Sequence, residues 1–266
     1  MIFGFWQGVS GLQAGARYLD ALAADISNVN TPGYKHHQVQ LVETKEGPLY
    51  RADRVFPSPV PDWVRYGGGV GVGAIQRDFS GGPPMATGID TDLMIQGPGF
   101  FALREEGGQV GYTRHGSFRW DGQGRLVDPA GRLLLDDRGN PITLPEKAVK
   151  VAIAPGGVVT AWVPKGQGVL EAVTVGRVGV ALADAPHALL AADGLYRVPP
   201  GRGELPLGPG GEGRRGTVQP GYLEGSNVDL AKAMVDLLLV QRAYSMNARA
   251  LANADELWSS IQHLMG

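Results

Sequence analysis

Apolar and small residues recur at alternating steps of three and four near both ends of this chain, and this repeat most constrains its fold. The first repeat spans 12–29 and the second spans 233–265. Such spacing places the side chains on one stripe of an α-helix, the stripe by which helices pack side by side. The sequence therefore predicts two terminal helices that form a coiled-coil-like pair. The predicted assembly seam, within one chain and between copies, consists of Leu12, Leu19, Leu22, Ile26, Val29, Leu237, Val240, Tyr244, Leu251, Trp258 and Ile261.

Residues that flank the repeats predict where these helices begin and end. Pro32 and Gly33 are expected to end the first helix, because proline disfavours helical backbone at the residue before it. Ser226 and Asp229 form an S-x-x-D capping signature, so the second helix is expected to start near Val228. At about 1.5 Å per residue that helix would be ~55 Å long, longer than a small domain. Part of this helix must therefore project from the domain or find partners.

Three glycines, Gly8, Gly11 and Gly15, weaken the first helix. Each costs about 1 kcal/mol relative to alanine, so together they cost about 3 kcal/mol. Burial of a seam leucine or isoleucine returns about 1.5–3 kcal/mol. We therefore expect this helix to become ordered only when a partner covers its seam.

Between the helices the sequence favours short strands and turns, with 41 glycines and 19 prolines in the whole chain. Apolar runs alternate with Asp–Gly turn segments, for which we predict turns at Asp121, Asp128 and Asp137. The predicted fold class is α+β, with a mainly β domain, a meander of short strands, inserted between the helices. The predicted domains are 1–35 (N-terminal helix and turn), 36–90 (extended Pro/Gly-rich connector), 91–220 (β domain) and 221–266 (C-terminal helix).

Composition and motifs argue against several classes of function. The net charge of −2 gives no electrostatic basis for nucleic-acid binding. No apolar run approaches the ~18 residues of a membrane-spanning helix, so bilayer insertion is not expected. The first residues lack a basic segment and a cleavage site, which predicts export without a cleaved signal peptide. The histidines lack metal-ligand spacing and the glycine-rich segment at 69–74 lacks a βαβ context, so no metal, cofactor or catalytic site is predicted.

Three segments resemble the flagellar rod and hook protein family, in that family's order. They are SNVNTPGYK (27–35); DLMIQGPGFFAL (92–103) followed by YTRHGSF (112–118) and DGQGRLVDPAGRLLL (121–135); and GYLEGSNVDLAKAMVDLLLVQRAYSMNARALANADEL (221–257). Asp25 differs from the asparagine usual in the family. The family-motif residues are Asn28, Asn30, Thr31, Pro32, Gly33, Tyr34, Gly99, Phe100, Phe101, Gly221, Tyr222, Ser226, Asn227, Gln241, Arg242 and Ala243.

The resemblance, which is closest to the distal rod members, implies a non-enzymatic structural subunit. Such a subunit would polymerise into a helical tube that transmits torque from the motor to the hook. Its implied partners are further copies of itself, other rod subunits, the hook protein, the P- and L-ring proteins and the flagellar export apparatus. Its implied location is the periplasmic rod of the basal body.

Three alternatives remain open at this point. One is a proximal rod subunit of the same family, and another is a secreted β-rich binding or adhesin module with a coiled-coil stalk. The third is a polysaccharide-acting enzyme, which would need a convergent carboxylate pair such as Asp90 and Asp92. The simpler interpretation of these aspartates is turn formation.

Overall fold

The computed structural model describes residues 2–44, 47–48, 65–66, 68–146, 148–165 and 169–265. Along the chain, two long helices, α1 and α2, precede and follow a succession of short strands. The helices are α1 (Ile2–Ser27) and α2 (Leu230–Met265), with a 3-10 turn at Pro186–Ala188. The strands are β1 (His37–Glu43), β2 (Gly47–Pro48), β3 (Arg65–Tyr66), β4 (Val70–Arg77), β5 (Pro84–Ala86), β6 (Leu93–Gln96), β7 (Phe100–Arg104), β8 (Val110–Thr113), β9 (Arg119–Trp120), β10 (Leu126–Val127), β11 (Leu133–Leu134), β12 (Lys150–Ile153), β13 (Val158–Pro164), β14 (Leu170–Arg177), β15 (Gly179–Ala181), β16 (Leu190–Ala192), β17 (Leu195–Arg197), β18 (Leu207–Pro209), β19 (Thr217–Pro220) and β20 (Tyr222–Glu224).

Backbone contacts divide the chain into two compact units. The helical unit comprises the described parts of 1–27, 36–78 and 228–266, and the β unit comprises 28–35 and the described parts of 79–227. Two helices and a meander of many short strands confirm the predicted α+β class. The predicted connector, 36–90, is divided between the units. Its described residues in 36–78, which include the antiparallel pair β1–β4, belong to the helical unit, and 79–90 belong to the β unit.

The first helix ends earlier than predicted. Its last helical residue is Ser27, and Val29 therefore lies in the turn that follows rather than on the helical seam. In that turn the Thr31 N–H donates to the Asn28 carbonyl at 3.0 Å. The Thr31 hydroxyl lies 3.1 Å from Asn28 Oδ1. Asparagine and threonine side chains bond to nearby polar groups and so compete with the helix, which ends before Pro32 is reached.

The second helix also begins differently from the prediction. Its cap is Asp229 rather than Ser226, since Asp229 directly precedes the first helical residue, Leu230. Asp229 Oδ1 accepts the N–H of Lys232 at 3.1 Å. The Asp229 carbonyl accepts the N–H of Ala233 at 2.9 Å, which starts the helical ladder. A carboxylate at this position accepts a hydrogen bond from one of the free N–H groups of the first helical turn. Its negative charge also interacts favourably with the positive end of the helix dipole.

Within the helical unit, Asp25 joins the last turn of α1 to the start of β1. Its buried carboxylate accepts the backbone N–H of His37 at 3.0 Å and lies 2.7 Å from His37 Nδ1. Near the other end of the pair of strands, the N–H of Val70 donates to Ser10 Oγ at 3.2 Å. Asp25, which stands where the family usually has asparagine, thus brings a carboxylate into contact with the His37 imidazole.

The β unit has two neighbouring clusters of buried side chains. Strand β7 lies at the centre, pairing with β8, β11 and β15. Phe101 belongs to the larger cluster, which also contains Leu93, Leu126 and Val218. Phe100, on the opposite side of β7, belongs to the second cluster, as alternation along a strand requires.

Three Asp–Gly segments in the β unit form the same hydrogen-bonded turn. Asp121 Oδ1 accepts the N–H groups two and four residues later at 2.9 and 2.7 Å, and Asp128 Oδ1 does so at 3.0 and 2.8 Å. The third turn begins at Asp136, whose Oδ1 accepts at 2.9 and 2.6 Å, and not at Asp137 as predicted. The reason is the position of the glycine three residues later, Gly139 in this turn, whose φ of 84° only glycine adopts readily.

Acidification is expected to weaken the first of these turns. Hydrogen bonds from the backbone N–H of Arg125, and then from the Arg125 side chain, hold the pKa of Asp121 below its ordinary value. A lowered pKa in the folded state means stabilisation at neutral pH that is lost as pH falls below the unfolded value of about 3.9. The midpoint of thermal unfolding between pH 6 and pH 2.5 should therefore fall more in wild type than in Asp121→Asn, and equal slopes would contradict this.

Candidate functional site

The two terminal helices pack against each other in antiparallel orientation within the helical unit. A Cβ built on Gly8 would lie 3.2 Å from Leu251 Cδ1, and one on Gly15 would lie 3.5 Å from Tyr244 Cδ2. Between them, a Cβ on Gly11 would lie 2.5 Å from Asn247 Nδ2. The three glycines therefore lie where α2 approaches α1 most closely, as small residues do at tight helix–helix contacts.

These three contacts set the first half of α1 against residues 244–251 of the second repeat. From the same antiparallel register we predict that Leu19, Leu22 and Ile26 lie opposite the seam positions of the first half of α2. Leu22 is buried, and Tyr244 is 39% exposed. Contacts of the seam with other copies remain a prediction. Leu12, Leu19, Ile26, Leu237, Val240 and Leu251 are half-buried, and the side chains of Trp258 and Ile261 lie outside the described residues.

A second apolar face of α2 is exposed, and the repeat did not predict it. Five large apolar side chains that do not belong to the seam are 50–64% exposed in the first half of α2. A helix that is apolar on two faces is typical of one buried on both sides. In the sequence this face is marked by a run of apolar residues that lie off the three-and-four repeat. These residues, called here the outer face, are Met234, Val235, Leu238, Leu239 and Met246.

Family-motif residues border the outer face. Gln241 and Arg242 line a shallow groove together with Leu238 and Met246. Both polar residues are exposed, as is Ala243. An apolar surface with a polar and cationic border has the composition of a protein–protein contact.

In the β unit, the three family motifs meet at one buried ionic cluster. Lys35 Nζ lies 2.6 Å from Glu224 Oε1, and Arg114 Nη1 lies 3.1 Å from Glu224 Oε2. The side chains of Lys35, Glu224 and Arg114 are 0%, 1% and 3% exposed. One carboxylate thus joins two cations from the other two motifs. We call Lys35, Arg114 and Glu224 the buried cluster.

Carbonyl groups and an aromatic ring complete the surroundings of Arg114. Its guanidinium donates to the carbonyls of Ile95 at 3.2 Å and Gly97 at 2.8 Å, and its Cζ lies 5.4 Å from the centre of the Phe100 ring. Burial lowers the pKa of Arg114, and the charge of Glu224 opposes this effect. Among the described residues, Arg114 Nε has no hydrogen-bond partner. The cluster is charged, tightly bonded and shielded from solvent.

Other motif residues of the β unit serve close backbone approaches. A Cβ on Gly33 would lie 2.6 Å from the backbone of Arg114 and His115, and one on Gly99 would lie 2.4 Å from Val180 Cγ1. Gly221 has a φ of 80° and accepts the N–H of Thr87 at 2.9 Å. Asn227 donates to Ser80 Oγ at 3.1 Å, whereas Tyr222 is exposed. Asn28 and Thr31 form the turn after α1, with Asn30, Pro32 and Tyr34 beside them, and Ser226 precedes the cap of α2.

Comparison with known families identifies the class of protein to which this fold belongs. Residues 7–35 match the flagella basal body rod protein family, 94–161 match the flagellar hook protein FlgE/F/G D1 domain, and 219–264 match the flagellar basal body rod FlgEFG protein C-terminal family. The first and third matches contain the predicted end motifs, and the second begins within β6 and ends within β13.

Individual relatives are similar over almost their whole length. The flagellar basal-body rod protein FlgG of Caulobacter vibrioides is 30% identical over 96% of this chain and 96% of its own. FlgG of Borreliella burgdorferi is 30% identical over 99% of both chains. FlgF of Caulobacter vibrioides, also a flagellar basal-body rod protein, is 33% identical over 94% of this chain and 92% of its own.

The chain therefore belongs to the flagellar basal-body rod protein family. It is a structural subunit of the flagellar basal-body rod, and it works in bacterial motility. Its location is the flagellar basal body, among the other components of that structure. Neither described helix is long and apolar enough to cross a membrane.

Proposed function

We propose that this subunit builds the distal part of the rod, polymerising with further copies of itself into a helical tube that transmits torque from the motor to the hook. The observation that carries the proposal is the outer face of α2. Its side chains are 50–64% exposed in the single chain, although α2 already packs against α1 on its other side. Because these side chains are already about half covered, complete burial on a neighbour returns about 1–2 kcal/mol for each of the five.

The contact is proposed to be heterologous, with the outer face of one copy meeting a different surface of the next. Heterologous contacts that do not close produce helical assemblies, and a torque-bearing tube requires this kind of contact. The α1–α2 pair would form the wall in a coiled-coil-like arrangement, with the seam holding each pair together. The outer face would then join one pair to the next.

The remaining partners follow from the family resemblance and are proposals as well. They are the other rod subunits, the hook protein and the P- and L-ring proteins that surround a periplasmic rod. The flagellar export apparatus is the proposed route from the cytoplasm, without a cleaved signal peptide. No catalytic role is proposed. Asp92 is buried, and its N–H donates to the Ile89 carbonyl at 2.9 Å. This hydrogen bond supports the interpretation of the segment as a turn.

A position in the proximal rod is the second candidate. The likeness to a relative with a different name, FlgF, is as strong as the likeness to FlgG. Labelling the subunit in isolated basal bodies separates the two candidates. Label beside the hook supports the distal position, and label at the end away from the hook supports the proximal one.

Two charges placed on the outer face are expected to abolish polymerisation without unfolding the subunit. Leu238→Asp/Leu239→Asp changes side chains that are 56% and 57% exposed, so the free energy of unfolding should change little. Each carboxylate would have to be desolvated in the contact between copies. Sedimentation and electron microscopy of the full chain should show monomers where wild type forms polymers. Leu190→Asp, on an equally exposed leucine of the β unit, is the matched control, and polymers formed by the double variant would refute the proposal.

A further inference from the structure

Both chain segments that lead from the β unit to the helices meet at Glu224. The first segment, 28–35, follows α1, and its Lys35 Nζ lies 2.6 Å from Glu224 Oε1. The backbone N–H of Gly33 also donates to the Glu224 carbonyl at 2.7 Å. The second segment, 221–227, contains Glu224 itself and leads to α2. A separation of 189 residues along the sequence is thus closed at a single buried side chain.

The segment 79–82, which follows the β1–β4 pair along the chain, joins the same cluster. The Ser80 carbonyl accepts from Lys35 Nζ at 2.5 Å, and the N–H of Gly82 donates to Glu224 Oε1 at 2.9 Å. All four points where the chain passes between the two units lie at the ends of these three segments. The buried cluster therefore ties together every connection of the β unit.

The charges of the cluster make its formation conditional. Two cations and one carboxylate are buried together, and a buried charge without its partner costs several kcal/mol. Each member is therefore favourable in the buried position only when the other segments are in place. We propose that the buried cluster is a closure latch, which makes the pairing of the terminal helices depend on completion of the β unit.

The latch would act by shortening the loop that separates the helices. In the folded β unit the pairing of β5 with β20 keeps Pro84 opposite Glu224 with or without the latch. Without the latch, the end of α1 and the start of α2 are therefore separated by roughly 60 residues of chain outside that pairing, and with the latch by roughly 15. Loop-closure probability scales as the −3/2 power of loop length, so pairing of the helices gains a factor of about 8. A helix weakened by three glycines depends on such a gain.

Glu224→Gln tests the latch in the full chain, kept dilute so that it remains monomeric. The amide keeps an oxygen for the Gly82 N–H but removes the negative charge that Glu224 presents to Lys35 and Arg114. Hydrogen exchange should show protection of α1 (residues 8–22) falling about 8-fold, while protection of strand β7 stays within about 2-fold of wild type. The matched control is Asp128→Asn, which removes a buried carboxylate bonded to Arg132 Nε at 2.6 Å elsewhere in the β unit.

A second variant keeps the test decisive if Glu224→Gln unfolds the whole chain. Lys35→Met removes one cation and leaves Glu224 balanced by Arg114, so it should release 28–35 and α1 but keep Gly82 protected. Unchanged protection of α1 in both variants would overturn the latch. So would an equal loss of protection in α1 and β7, since that describes a general loss of stability. The hydrogen exchange is measured on the monomer, without polymerisation. The result for the latch therefore does not depend on whether the proposed position in the rod is correct.

Discussion

Leu251→Asp is expected to separate α1 from α2 and to prevent rod assembly, while the β unit stays folded. Leu251 faces Gly8, where a Cβ would lie 3.2 Å from Leu251 Cδ1. The substitution removes up to about 1.5–3 kcal/mol of apolar burial and places a carboxylate against α1. Because its three glycines already cost α1 about 3 kcal/mol, the helix has little stability to lose. Hydrogen exchange in the monomer should show α1 unprotected, and sedimentation should show no polymers.

The control for this variant places the same charge one residue away. Ala252 is exposed on α2, so Ala252→Asp should leave the protection of α1 unchanged in the monomer. Normal rods built by Leu251→Asp would show that the seam has been assigned to the wrong residues. Loss of α1 protection with retained polymerisation would show instead that assembly does not need the helix pair.

Gly33→Ala is expected to destabilise the β unit more than any substitution in a surface turn. The residue has a φ of 72°, and an added Cβ would lie 2.6 Å from backbone atoms of Arg114 and His115. Left-handed backbone costs an alanine about 1–2 kcal/mol, and displacement of packed backbone costs about 1–3 kcal/mol more. Urea unfolding followed by near-UV circular dichroism should show a loss of about 2–5 kcal/mol.

Gly122→Ala provides the comparison for Gly33→Ala. Apart from Gly122 itself and its two chain neighbours, no described residue has an atom within 4 Å of the added Cβ, and this residue needs no positive φ. The free energy of unfolding should therefore change by less than about 0.5 kcal/mol. Equal effects of the two substitutions would contradict the close approach that the structure places at Gly33.

The helices were predictable because periodicity is a local property of sequence. The alternating steps of three and four identified both helices, and the register of Gly8, Gly11 and Gly15 against α2 is consistent with the two predicted stripes. The role of these glycines was not predictable. In the sequence they are only a cost to α1, whereas in the structure they are the positions where Leu251, Asn247 and Tyr244 approach.

The buried cluster lay within the recognised motifs but not among the predicted site residues. Lys35 and Glu224 are 189 residues apart, and periodicity carries no information on contacts at that distance. Three charged residues in turn-rich segments would ordinarily be assigned to solvent. The predicted ends of the two helices were wrong for a related reason. Asn28 and Asp229 form side-chain hydrogen bonds that set the helix ends at other residues than the proline and serine signals indicate.

Electron cryomicroscopy of the polymer formed by the full chain tests most directly the claim that this subunit assembles through its terminal helices. We predict a helical tube in which Leu238, Leu239 and Met246 of each copy are buried against a neighbouring copy, with α1 and α2 still paired. A polymer joined only through β units, with the outer face of α2 open to solvent, would contradict it.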